Sequence, residues 1–169
     1  MIRTIRNTMV AGINKLTSLP VVDTDNPHKK PPYPYYSYKF TTTRQNIGER
    51  GNLNYSFVES KEPQFKYDVL EELSFQPYAI ISFNAYAKGI IDSQEYAIIA
   101  WEWFKLKGKQ ELADKNLVVV DVGNIQDRTI QIADFYEYRQ GFDVTIRYLH
   151  AFEHRSETIE EYEVKGEII

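Results

Sequence analysis

The chain begins with apolar residues spaced three or four positions apart, which is the pattern of a helix with one apolar face. These residues are Ile2, Ile5, Met9, Ile13 and Leu16. A helix is therefore predicted within residues 1–19, ended by Pro20. Four further prolines lie between Asp23 and Pro34. Because proline disfavours helices and central strands, residues 20–34 are predicted to form an extended connector.

From Tyr35 the apolar spacing changes to alternation, which indicates strands. Tyr36, Tyr38 and Phe40 share one side of the first strand. Residues 55–58 are predicted to pair back onto that strand as a hairpin, across a glycine-containing loop over 45–54. Three further strands are predicted at 65–70, 78–87 and 117–122, the last of them buried.

A second helix is predicted to begin at Asp92, because Asp92 and Glu95 have the spacing of a helix-capping pair. Apolar residues then recur at helical spacing at Tyr96, Ile99, Ala100 and Trp103. Lys105 and Lys107 suit the negative end of a helix, and Gly108 is predicted to end it in a left-handed conformation.

The last third of the chain predicts further strands. The apolar residues within 129–139 fit helical or strand spacing, with a strand favoured, and Gly141 is expected to break the element. Residues 142–152 alternate as a long antiparallel strand with one side on the core. Residues 154–169 are predicted to be an acidic C-terminal arm. The elements together predict an α+β fold with a mostly antiparallel sheet packed against two helices, in a single domain with its core at 35–153.

Composition narrows the class of protein. A length of 169 residues fits one domain, and 43% hydrophobic with 26% charged residues is typical of globular chains. The longest apolar run, residues 96–101, is six residues long, far below the roughly 20 that a membrane-spanning helix needs. No secretion signal is visible at the start, so we expect no membrane association and a cytoplasmic environment.

The residue types also restrict the chemistry. The chain has no cysteine, which excludes disulfides, thiolate nucleophiles and iron–sulfur clusters. Twenty Lys and Arg against 24 Asp and Glu give a net charge of −4, the wrong sign for strong phosphate binding. Aromatic residues make up 14% of the chain and suit pleated sheets and protein interfaces. A protein partner is therefore expected more than a nucleic acid.

Few residues could support catalysis. His150 and His154 would share a metal site on a helix, but on the predicted strand they lie about 13 Å apart. His28 falls in the connector and is expected to be solvated. The sequence has no glycine-rich phosphate loop, serine nucleophile elbow or zinc-protease histidine pair. No catalytic residue, cofactor or metal is therefore predicted.

One weak arrangement leaves an enzyme open. Asp121 or Asp143, together with Glu163 and Lys165, could form the acidic pair and lysine of a Mg²⁺-dependent nuclease. A Glu-x-Lys triplet arises often by chance in a chain this rich in both residues, and the negative net charge disfavours DNA binding. The nuclease stays an alternative to a non-enzymatic role.

Candidate partner contacts come from the aromatic residues, the loop and the arm. Trp101 and Trp103 are two positions apart on a helix and cannot share one side. One is predicted to lie in the core and the other to be an exposed anchor, although a helix that also touches a neighbouring subunit could bury both. The other candidate contacts, in the loop and in the arm, are Ile47, Arg50, Ile159 and Tyr162.

Several segments resemble the neck or tail terminator proteins of long-tailed bacteriophages and prophages. They are PYYSY at 34–38, QP at 76–77 before the strand at 78–87, NLVVVDVGNIQDR at 116–128, YEYRQGFDV at 136–144 and ETI at 157–159. The resemblance covers residues 33–160.

The resemblance implies a structural virion protein without catalysis. Such proteins form a ring, usually of six, that caps the tail tube, so the implied partners are further copies, the tail tube protein and the head connector protein. DNA would pass through without specific binding, because six copies at −4 each carry −24 and repel phosphate. The implied location is the virion neck, with assembly in the host cytoplasm. A head-completion or tail tube protein is an alternative, because it would need the same contact surfaces and would also lack catalysis.

The two ends of the chain differ in charge. Residues 1–32 carry five Lys or Arg against two Asp, whereas residues 153–169 carry six Glu against two basic residues. This asymmetry allows attraction between neighbouring subunits or pairing within one chain, weakened by salt in either case. We expect an edge strand or the acidic arm, laid on the next subunit, to close the ring.

Overall fold

A computed structural model of the chain describes residues 1–27, 29–46, 48 and 50–158. The chain divides into two compact units. The larger unit comprises Met1–Ile47 and Gln76–Leu149, and the smaller unit comprises Gly48–Phe75 and His150–Ile169. The α+β class and the mainly antiparallel pairing are confirmed, whereas the predicted domain boundaries stay predictions.

The described residues form ten strands and three α-helices. The strands are β1 (Val21–Asp23), β2 (Tyr35–Gln45), β3 (Asn52–Glu59), β4 (Tyr67–Phe75), β5 (Tyr78–Ala87), β6 (Leu117–Val122), β7 (Gln126–Asp127), β8 (Ile130–Ile132), β9 (Phe135–Tyr148) and β10 (His150–Glu157). The helices are α1 (Ile2–Thr17), α2 (Ile90–Glu102) and α3 (Lys109–Ala113), and a π-helical turn, Trp103–Lys107, joins α2 to α3. Among the described residues, no helix combines the length and the apolar character needed to cross a membrane.

The larger unit is a sheet with helices on one side. Its strand order is β1-β2-β5-β9-β6, and every neighbouring pair is antiparallel except the parallel β1–β2 pair. Strands β7 and β8 pair with β9 beyond β6. The predicted strand that begins at Tyr35 and the predicted strands at 78–87 and 117–122 are confirmed.

The core of the larger unit lies between the sheet and the helices. Ile5, Met9 and Ile13 of α1 are fully buried, which confirms the predicted apolar face. Phe83 of β5 lies opposite Phe142 of β9, with ring centroids 5.8 Å apart. Phe104 of the π-helical turn packs edge-on against both rings. The two central strands and the second helical segment are therefore joined by aromatic packing.

The predicted boundaries of the second helix are wrong. The helix begins at Ile90 with Gly89 as its N-cap. Asp92 lies in the first turn, where the positive end of the helix dipole stabilises its carboxylate. Gly108 is not left-handed, since its φ is −90°, and α3 follows it. A Cβ at Gly108 would lie 2.4 Å from Cε2 of Trp103, so this glycine makes room for the indole rather than ending a helix.

The predicted hairpin between the strand at Tyr35 and residues 55–58 is also wrong. Strand β2 pairs with β5 along one side and with β1 only at residues 36–38 on the other, whereas β3 pairs over its whole length with β4. The smaller unit is the resulting three-stranded antiparallel sheet, ordered β10-β4-β3. Residues 154–157, predicted as the start of the acidic arm, belong to β10 and pair with β4. Residues 159–169 lie outside the described residues.

Gly141 does not interrupt the strand that contains it. It lies within β9 opposite Asn84 of β5, and a Cβ there would be 2.2 Å from Oδ1 of Asn84 and 2.9 Å from Nη1 of Arg128. The close approach of these side chains explains the glycine. The predicted burial of the strand at 117–122 holds only for Leu117 and Val122, because β6 is the last strand of its sheet.

Candidate assembly surfaces

The smaller unit exposes an apolar surface on β3. Residues 52–57 alternate polar and apolar side chains, which is typical of a strand with one buried side. The apolar residues are nevertheless exposed, Phe57 by 72% and Tyr55 by 62%. Adjacent strands add further exposed apolar residues. The apolar sheet face is defined as Leu53, Tyr55, Phe57, Tyr67 and Phe152.

Strand register places these side chains on one side of the sheet. Leu53 lies opposite Leu73, which in turn lies opposite Phe152, and Glu59 lies opposite Tyr67. Residues directly opposite each other in an antiparallel sheet point to the same side. The other side of β3 carries Asn52, Asn54 and Ser56. One side of the sheet therefore carries these five apolar residues together with Glu71 and His154, which lie in line with Tyr55, and the side of the asparagines is more polar.

An ion pair on the polar side ties β10 to β4. Nε of Arg155 donates to Oδ2 of Asp68 at 2.6 Å, and the same guanidinium donates to the carbonyl of Glu59 in β3. Hydrogen bonds from the Ser60 hydroxyl and from Arg155 hold the pKa of the Asp68 carboxyl below its usual value, against the opposing effect of burial. Arg155 thereby joins all three strands of the smaller unit.

A second apolar surface runs along the outer side of α2 in the larger unit. Ile91 is 66% exposed and Leu106 is 71% exposed, with the exposed Ile98 between them along the chain. Ile91 and Ile98 are seven positions apart and lie close to one line on an α-helix. The helix stripe is defined as Ile91, Ile98 and Leu106.

The π-helical turn affects where Leu106 points. In an unbroken α-helix, Leu106 would lie about 80° around the axis from Ile98. The wider turn at Trp103–Lys107, with its i to i+5 hydrogen bonds, rotates the chain less per residue. This reduces the offset and brings Leu106 towards the line of the two isoleucines.

The two tryptophans lie on the inner and lateral sides of this helical segment. Trp103 is only 3% exposed and belongs to the core, so its indole has little surface to offer a partner. Trp101 is half-buried, its Nε1–H donates to the carbonyl of Gly123 at 3.0 Å, and Nζ of Lys105 lies 5.2 Å from its ring centroid. The hydrogen bond ties α2 to the segment after β6.

Strand β6 forms one edge of the larger sheet. Its Val118 and Val120 are exposed, and an edge strand offers unpaired backbone groups to another chain. A shift in register between Val119 and Asp121 interrupts its pairing with β9, and such a bulge bends the edge. Strand addition at this edge is therefore limited to a short segment.

The helix-free side of the larger sheet carries a pocket of about 230 Å³ with polar and apolar residues in its lining. The carboxylate of Glu137, 3% exposed, accepts from Nζ of Lys30 at 2.6 Å and from the Tyr33 hydroxyl at 3.2 Å. Tyr35 stacks on Tyr86 beside it, with ring centroids 4.6 Å apart. Burial, followed by the charges of Tyr86 and Glu137, raises the pKa of Tyr35. These contacts attach the connector to β9.

Arg128 organises the neighbouring part of the same side. Its Nη1 donates to Oγ of Ser82 at 2.7 Å and to Oδ1 of Asn84 at 3.1 Å, and its Nη2 donates to Oδ1 of Asp143 at 3.0 Å. Nε of Arg139 donates to the carbonyl of Arg128. The arginine thus joins three segments of the larger unit, and its partners belong to the fold rather than to a ligand site.

The remaining predicted contact residues belong to the loop and to the C-terminal arm. Arg50 is exposed at the start of the smaller unit. Ile47, Ile159 and Tyr162 lie outside the described residues, as does His28. The structure does not bring Arg50 together with Trp101 or Trp103 in one surface of either unit. Contact roles for all of these residues stay predictions.

Among the residues considered for catalysis that the structure describes, no metal-binding group forms. His150 and His154 lie on β10, and within the described residues no three His, Cys, Asp or Glu side chains are grouped to hold a metal ion. Asp143 is paired with Arg128. Glu163 and Lys165 lie outside the described residues.

Sequence reasoning missed the two apolar surfaces. The signal for the first was present, because Asn52 to Phe57 alternate, but Leu53 and the asparagines were assigned to a loop. The helix stripe had no signal of its own, since Ile98 lies within the unbroken apolar run 96–101 and the sequence pattern does not separate its exposed residues from its buried ones.

Comparison with known proteins gave one finding. A family model described as Phage neck terminator protein matches residues 2–169. No curated protein matches the chain. The matched range includes both compact units and both apolar surfaces.

Proposed function

We propose that this chain, which belongs to the phage neck terminator protein family, closes into a ring of six copies that caps the tail tube and joins it to the head connector. The family is one of structural neck proteins and not an enzyme class, so the chain is a virion component that contacts other head or tail proteins. Membership of the family is the observation that carries the proposal.

The exposed apolar surfaces support an assembly role. The apolar sheet face and the helix stripe lie on different elements, and apolar patches of this kind mark sites of protein contact. A ring subunit needs two different contact surfaces, because each copy meets one neighbour on each side. Two exposed apolar surfaces on different elements support this arrangement.

The negative charge supports passage of DNA without binding. Six copies at −4 each would carry −24, and such a bore would repel phosphate groups. The DNA that leaves the head would then meet the ring without being held by it.

Residues 159–169 are proposed to act as an arm on a neighbouring copy. They follow β10, which Thr158 ties to β4 through a hydrogen bond to the Tyr67 carbonyl. A truncation should therefore begin after Thr158, because one that removes Thr158 loses this hydrogen bond and one that begins at Arg155 also loses the Asp68 ion pair. We expect the shorter chain to fold and to form weaker rings, measured as oligomer mass by light scattering; an unchanged mass would contradict the arm.

Depletion of the protein during phage growth tests the proposed function. Without it, we expect full heads and tails that stay apart, and addition of the purified protein to this extract should restore infectious particles. Joined particles that form without the protein would contradict the proposal. Binding of the purified protein to isolated heads alone would instead indicate a head-completion protein, and incorporation along the tube would indicate a tube protein.

A further inference from the structure

We propose that the helix stripe of one copy packs on the apolar sheet face of the next copy. The inference deepens the proposed ring and rests on that function, because it assigns the surfaces through which neighbouring copies meet. It commits to a second copy of this chain as the occupant of both surfaces.

The sheet face has the character of a surface that is covered in the assembled state. Strand β3 has the alternation of a half-buried strand, yet Tyr55 and Phe57 are its most exposed side chains among the large apolar residues. A three-stranded sheet gains much of its stability from packing of its apolar side. Within the described residues of the smaller unit, no helix is present to supply that packing.

The two surfaces match in size. Leu106 lies 15 positions after Ile91, so the helix stripe is roughly 22 Å long. An eight-residue strand such as β3 is roughly 26 Å long, and three strands are about 10 Å across from the first axis to the last. One helix, itself about 10 Å wide, would cover the face along its length.

The area is sufficient for the centre of a stable interface. Four exposed aromatic side chains and Leu53 contribute roughly 500 Å², since a buried aromatic side chain covers about 150–250 Å². This is at the upper end for the largest patch on an ordinary monomer. A standard interface takes about 800 Å² from each partner, so a polar rim of ordinary size completes it.

The contact is heterologous, which is the geometry that a ring requires. A helix on a sheet is a common way to bury both apolar surfaces, and here the helix and the sheet are different patches of one chain. A head-to-tail contact of this kind repeats around a closed ring, whereas sheet against sheet would end at a dimer.

Cysteine cross-linking tests the contact directly, because the chain has no cysteine of its own. Phe57→Cys protein and Ile98→Cys protein, carrying tags of different size, are mixed and oxidised at high protein concentration. We expect a mixed disulfide-linked dimer, which can form only between two copies. Ser56→Cys is the matched control, since Ser56 is also exposed but lies on the polar side of β3, and it should give at most a tenth of that product.

Each of the other possible results contradicts the contact between the helix stripe and the apolar sheet face. A dimer formed only from Phe57→Cys chains would indicate sheet against sheet, and an equal yield from Ser56→Cys would indicate random collision. No mixed dimer, from variants with wild-type circular dichroism spectra, would overturn the inference. Electron microscopy of the same proteins on tail tubes separates the two proposals: rings without the cross-link reject this contact alone, and the cross-link without rings rejects the proposed function.

Discussion

Gly12 of α1 lies directly against the indole of Trp103, so that a Cβ at position 12 would be 2.2 Å from Cζ2 of the ring. Alanine favours a helix by about 1 kcal/mol over glycine, but here the added methyl group overlaps a buried ring. We expect Gly12→Ala to destabilise the chain by about 1–3 kcal/mol, the usual cost of overpacking, measured by urea unfolding.

A second substitution shows whether the indole is responsible. In a Trp103→Phe background the smaller ring leaves room, so the added cost of Gly12→Ala should fall below that in the wild-type chain. A Gly12→Ala variant as stable as wild type would show that helix propensity dominates and that the packing is looser than described.

The Asp68–Arg155 ion pair predicts a pH dependence of stability. The folded-state pKa of Asp68 is lowered, so its contribution is present above the ordinary aspartate pKa of about 3.9 and is lost as pH falls through the folded value. We expect Asp68→Asn to unfold at a lower temperature than wild type at pH 7, with the difference shrinking below about pH 4. Glu71→Gln, on the same strand, is the control. A difference that stays constant down to pH 2 would contradict the role of the carboxylate.

The Lys30–Glu137 ion pair predicts that the connector is held by β9. With Glu137→Gln the connector loses its charged partner, and trypsin should cleave after Lys29 several-fold faster, as followed by mass spectrometry. Asp134→Asn, an exposed change in the turn before β9, should leave the cleavage rate unchanged. Equal rates for both variants would mean that other contacts hold the connector.

The glycine inside β9 predicts a position-specific effect. A Cβ at Gly141 would overlap Oδ1 of Asn84 and approach Nη1 of Arg128, so Gly141→Ala should destabilise the larger unit by about 1–3 kcal/mol. At Gly123 the nearest atom is the Asp143 carbonyl oxygen at 3.3 Å, and Gly123→Ala should cost less. Hydrogen exchange of the β9 amides measures the difference, and a reversed order would contradict the packing around Arg128.

Local patterns in the sequence predicted much of the fold of the larger unit. The spacing of Ile5, Met9 and Ile13 identified α1, and the alternation from Tyr78 to Ala87 identified β5 with its observed ends. These elements have one clear apolar side, so periodicity is sufficient to recognise them.

The errors arose where a glycine or a strand depends on contacts that the local pattern does not reveal. Gly108 and Gly141 resemble stops in the sequence, but each makes room for a side chain, Trp103 five residues earlier and Asn84 on the neighbouring strand respectively. The partner of β3 could not be predicted from adjacency, because β3 pairs with the following strand, β4, and not with the preceding one. The candidate surfaces were harder to predict, since the exposure of Phe57 depends on whether another element of the fold packs over it.

The position of the protein in the virion tests the central claim most directly. Cryo-electron microscopy of phage particles that carry a gold-labelled tag on this chain should show label only at the junction of head and tail, in a ring of six copies. Label at the distal tip, along the tube, or absent from purified virions would contradict a neck role.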